Sequence, residues 1–124
     1  MPIIKSCDAP RFEMHGAVFT GGASPSRGAR ETCVWRTTIA PSTPGTAHSV
    51  DREEVFVAVA GRANVTVDGQ PHDVATGDVL VVPANTQFAL ANPYDEAFEA
   101  IVVLPVGGRA KLPSGEAFVP PWAT

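Results

Sequence analysis

Along much of this chain apolar and polar positions alternate one for one, and turn-forming residues cut the alternation at roughly 8–12-residue intervals. In "ETCVWRTTIA" (31–40), β-branched and aromatic residues favour a strand. "PSTPGT" (41–46) ends it, because two prolines and a glycine cannot continue a ladder. In "EEVFVAVAG" (53–61), period-two alternation puts Glu54, Phe56 and Ala58 on one face and Glu53, Val55, Val57 and Val59 on the other. "RANVTVDGQPHDV" (62–74) reads as a hairpin. Its Ala63, Val65 and Val67 alternate with Arg62, Asn64 and Thr66, and Asp68-Gly69 supplies the tight turn. After the turn "TGD" (76–78), "VLVVP" (79–83) reads as a short buried strand. "TQFALAN" (86–92) and "AFEAIVVLP" (97–105) follow, separated by the turn "NPYDE" (92–96).

Residues 1–30 are expected to form an N-terminal strand, with His15 in it, and a loop centred on "GGASPSRGA" (21–29). In the tail, residues 105–124, prolines preclude a regular helix, and Phe118 and Trp122 are candidate anchors against the body. No window carries a helical stripe, and no repeat of solenoid period is present. The pattern predicts one all-β domain over 1–124, a sandwich or barrel of short antiparallel strands with its core at about 31–104.

Composition agrees. The 124 residues suit one domain with a real core, 44% are hydrophobic, and the 11 glycines and 12 prolines suit turns rather than long helices. The net charge is −4, and the lysines and arginines are scattered singly. That argues against nucleic acid as a partner, since phosphate binding depends on clustered positive charge. There is no apolar run long enough for a membrane span, and "MPIIKSCDAP" lacks the basic start and apolar core of a signal peptide, so a soluble, cytoplasmic protein is expected. Cys7 and Cys33 are too few for a disulfide framework and read as free thiols, with Cys33 buried in a strand.

Two segments resemble the paired motifs of the cupin superfamily, G-x5-H-x-H-x3-E-x6-G and G-x5-P-x-G-x2-H-x3-N. In "AHSVDREEVFVAVAG" (47–61), His48, Glu54 and Gly61 fall on first-motif positions, while Val50 stands where a second histidine is expected. In the second motif Gly77, Pro83 and Asn92 match, but Asn85 replaces a glycine and Phe88 a histidine. The resemblance implies a jelly-roll (cupin) β-barrel, often a homodimer, with an internal ligand pocket. It also implies a divalent metal on three histidines and a glutamate, of which this chain keeps two. A zinc site usually takes three protein ligands, and valine and phenylalanine supply none, so neither metal nor other cofactor is expected. His15 and His72 are not tied to His48 by any pattern.

The candidate site follows from those positions. His48 and Glu54 are the candidate catalytic acid–base pair, and Val50, Phe56 and Phe88 an apolar wall. Gln87 and Arg36 are candidate ligand-binding residues. Sequence leaves open whether Trp35 or Arg36 faces inward, and whether Glu54 is simply solvated at the start of its strand. If buried, Glu54 needs a partner, for which His48, Arg36 and Arg52 are candidates; a His48–Glu54 pair would favour a protonated histidine. Asn92 reads as a structural turn residue. The expectation is a metal-free pocket for a small organic ligand, with isomerase- or cyclase-type proton transfer if it is catalytic. The alternatives are a metal-dependent dioxygenase or decarboxylase using unorthodox ligands, His48 and Glu54 among them, and a non-catalytic sensory or binding cupin.

Overall fold

A computed structural model describes the whole chain, Met1–Thr124. Arg11–Met14 (β1) and Ala17–Ala23 (β2) form a hairpin closed by His15-Gly16, both at positive φ (52° and 79°), the geometry of a two-residue turn that follows strand twist. His15 therefore sits at the tip of the turn and not in the first strand. Next come Thr32–Ile39 (β3), Ser49–Val50 (β4), Glu54–Ala60 (β5), Arg62–Val67 (β6) and Gln70–Ala75 (β7). Val79–Val82 (β8), Phe88–Ala91 (β9), Phe98–Pro105 (β10) and Ala110–Lys111 (β11) complete the set.

All pairings are antiparallel. One sheet has the order β1-β2-β3-β10-β5-β8 and another the order β7-β6-β9, while β4 pairs with β11. A bridge between His48 and Phe88 joins the β4 segment to β9. The two layers enclose one apolar core that includes Trp35, Phe56, Val65, Phe88, Phe98 and Leu104. This is the all-β domain of short antiparallel strands expected from the alternation, in the jelly-roll form that the motif resemblance implies. Asp68 and Gly69, at φ 48° and 82°, make the predicted hairpin turn between β6 and β7.

β8 departs from expectation. It pairs only with β5 at the edge of the sheet, so Leu80 and Val82 turn inward while Val79 and Val81 are 58% and 52% exposed. An apolar run at a sheet edge has one solvated face, and four apolar residues in a row cannot signal which.

The tail is anchored as the two aromatics suggested. Phe118 bridges Ala110, and a 3-10 turn at Pro121–Ala123 brings the Trp122 ring flat onto Phe19, centroids 3.6 Å apart. Cys33, a buried free thiol, donates its S–H to the Ala123 carbonyl. Asn92 is fully buried. Its amide donates to the carbonyls of Ile39 and Glu96 and its Oδ1 accepts from the Tyr94 N–H, so it ties the turn before β10 to the end of β3. No helix is long and apolar enough to cross a membrane.

Candidate functional site

Strand alternation in β5 sends Glu54, Phe56 and Ala58 inward, as the sequence predicts. His48 reaches the same interior from the opposite layer. Its N–H donates to the Phe88 carbonyl (3.0 Å) and the Phe88 N–H donates back to the His48 carbonyl (2.9 Å). Residues paired in this way project from the same face, so the two rings meet, with centroids 4.4 Å apart. Phe88 also makes an edge contact with Phe56 at 5.8 Å.

His48, Glu54, Phe56 and Phe88 line one cavity of about 130 Å³, with Val50 and Trp35 in its wall. That is somewhat below the ~150 Å³ of an enclosed apolar cavity that admits a benzene ring, and this one opens to solvent at a mouth. The lining residues His15, Pro44 and Lys111 are exposed and mark its mouth, whereas Glu54 and Leu104 are buried and mark its floor. His15, together with Trp122 and other tail residues, belongs to the site although no pattern tied it there. The His-Gly dipeptide as a turn was the available signal.

The polar groups are unusual in what they lack. The Nδ1–H of His48 donates to the Thr46 carbonyl (2.9 Å), since a carbonyl can only accept. The neutral ring therefore keeps Nε2 as an acceptor. Burial lowers the pKa of His48, the Thr46 hydrogen bond opposes that, and the like charge of His15 adds to it. Glu54 is 5% exposed, and its Oε1 has no hydrogen-bond partner. Desolvation raises its pKa to about 8, which makes it predominantly a carboxylic acid at neutral pH.

No partner expected for Glu54 materialises. Trp35 takes the inward position in β3, 4% exposed. The Arg36 side chain, 46% exposed, points outward and lies 3.9 Å from Glu99 on β10. A tryptophan gains far more from burial than a guanidinium does, and period two then forces Arg36 to the opposite face. Arg36 is therefore absent from the cavity wall, and Arg52 is exposed. Gln87 is exposed too, one residue out of phase with Phe88, and lies outside the cavity. His72 is exposed on β7. Neither is His48 held protonated by Glu54, because no ion pair joins them and burial drives both toward neutrality.

The donor set does not fit a divalent metal. Val50 and Phe88 offer no ligand atoms beside His48 and Glu54, and nowhere in the chain do three His, Cys, Asp or Glu side chains converge.

The cupin domain family's sequence profile matches residues 35–104, more than half of the chain. Among solved structures, the polyketide cyclase RemF from Streptomyces resistomycificus is similar with a TM-score of 0.80 at 13% identity, covering 94% of this chain and 87% of that one. An RmlC-like cupin from Shewanella frigidimarina NCIMB 400 has a TM-score of 0.71 at 16% identity, covering 83% and 88%. A Streptomyces PAC13 variant with uridine has a TM-score of 0.67 at 16% identity, covering 82% and 78%. At such identities the likeness is one of fold. No curated protein sequence matches.

Proposed function

This chain belongs to the cupin family, and from that premise we propose that its barrel binds a small organic molecule through protein side chains alone, with His48 and Glu54 moving a proton on it. One observation carries the proposal: two of the four positions at which the family holds a metal are apolar here, and the two that stay polar face the same cavity with no partner for Glu54 Oε1. A largely apolar cavity with a few convergent polar groups is the usual form of a ligand site.

The chemistry follows from the protonation states. Neutral His48 accepts a proton at Nε2 from an acidic C–H or O–H of the ligand, while Glu54, as the acid, donates its proton to the oxygen where negative charge would develop. Return of the two protons in the other order leaves protein unchanged and ligand isomerised or cyclised. The presence of a polyketide cyclase and a uridine-containing protein among similar folds supports an organic ligand in such a barrel.

The test is a panel of His48→Ala, Glu54→Gln and Arg36→Ala, screened for binding and turnover of enolisable cyclic ketones. Loss of turnover by about 100-fold or more in His48→Ala and Glu54→Gln, with Arg36→Ala unaffected, is the expected result. Unchanged affinity and turnover in both site variants, or stoichiometric metal that is lost with His48, overturns the proposal.

A further inference from the structure

Two buried side-chain atoms in the molecule lack any hydrogen-bond partner, Glu54 Oε1 and the indole Nε1 of Trp122, and both residues line the same cavity. The second comes from the tail, which packs against the first hairpin and β3. An indole N–H is a donor with no acceptor capacity. Glu54 has no cation near it to hold a carboxylate, and as an acid it too has a proton to give. Donors buried without acceptors each forfeit a hydrogen bond, which makes two on one cavity a demand on whatever fills it.

The two groups come from separate elements of the fold. β10 runs between β5, which carries Glu54, and β3, where Cys33 bonds the residue next to Trp122. The Trp122 ring itself stacks on Phe19 of β2, one strand beyond β3, so the two groups belong to different parts of the cavity wall. Between them lie aromatic and aliphatic surfaces, Trp35, Phe56, Phe88 and Leu104. Lys111, the one cationic side chain other than histidine among the lining residues, is exposed at the mouth.

We infer that the ligand is an uncharged, ring-containing molecule with an acceptor oxygen at each end, one facing Glu54 and the other the indole N–H of Trp122. This rests on the proposal above that the cavity takes an organic molecule, and it adds the ligand's class. Carboxylates and phosphates are disfavoured, because the floor offers no positive charge to replace their hydration.

Three probes separate the ideas: 4-chromanone, with a carbonyl and an ether oxygen across a fused ring; tetralin, its hydrocarbon counterpart; and 2-naphthoate, which is charged. Binding to wild type and to Trp122→Phe and Glu54→Leu is measured by ligand-observed NMR. Chromanone is expected to bind roughly tenfold or more tighter than either other probe, and each substitution to cost it roughly three- to tenfold while leaving tetralin within about twofold. If water alone satisfies the two donors, chromanone gains nothing over tetralin, which overturns the ligand class but leaves an organic pocket standing. Tightest binding by 2-naphthoate does the same. Failure of all three probes, with stoichiometric metal in the protein, overturns both. Should either variant fail to fold, the ranking of the three probes on wild type still decides.

Discussion

His48 and Phe88 face each other across a pair of backbone hydrogen bonds, and their rings lie 4.4 Å apart inside the barrel. On the motif resemblance they stand where the first and third histidines would be expected, and the strand pairing here brings an imidazole to a phenyl ring. Phe88 is 1% exposed and shields His48 from water, which helps keep that histidine neutral.

The same pairing predicts that a metal site can be rebuilt. Val50 and Phe88 both line the cavity beside His48 and Glu54. The combined substitutions Val50→His and Phe88→His return three imidazoles and a carboxylate to one wall, a set sufficient for zinc or nickel. Elemental analysis of the double variant is expected to show near-stoichiometric divalent metal, with little in either single variant. A metal-free double variant would mean that the backbone has moved away from ligating geometry.

Stability should depend on pH in a direction set by Glu54. Its folded pKa of about 8 lies above the ordinary 4.5, so the folded protein retains a proton that the unfolded chain releases. Stability then falls as pH rises from ~4.5 to ~8 and is level above that. His48 acts oppositely, since its depressed pKa costs stability as pH falls below ~6.5. Between pH 6.5 and 8 the Glu54 effect stands alone of the two, worth on the order of 2 kcal/mol. Urea unfolding at both pH values should show that decline in wild type and its absence in Glu54→Gln; an equal decline in the variant would assign it to other groups.

Gly61, which closes the first motif, is required by backbone geometry and not by chemistry. It sits at φ 74° between β5 and β6, and a Cβ there would run into the Ala97 carbonyl. Gly61→Ala is expected to cost more than about 2 kcal/mol through left-handed strain plus a clash with main chain that cannot swing aside. A denaturation midpoint within error of wild type would show that the turn adapts.

Period-two alternation in β3, β5 and β6 made the strands legible, because one face of each is buried and one solvated. β8 is not legible as a half-exposed edge strand, because four apolar residues in a row carry no phase. Trp35 and Arg36 illustrate the same limit at a single step. Alternation guarantees that they point apart, but which one points in depends on which face of β3 meets the second layer.

Local pattern by itself therefore determined the all-β domain and the positions of most strands and turns, while the resemblance to the cupin motifs singled out His48, Glu54, Val50 and Phe88 as candidates. The strands and turns follow from properties of consecutive residues: side-chain type, turn propensity and a period of two. Tertiary structure alone decided that His15 and Trp122, some 30 residues before and 70 after His48, share its cavity. It alone decided that Arg36 turns away and that Glu54 is left without a counter-charge. Those outcomes depend on which sheet faces meet and what they exclude from water, a property of the packed layers that no single segment carries.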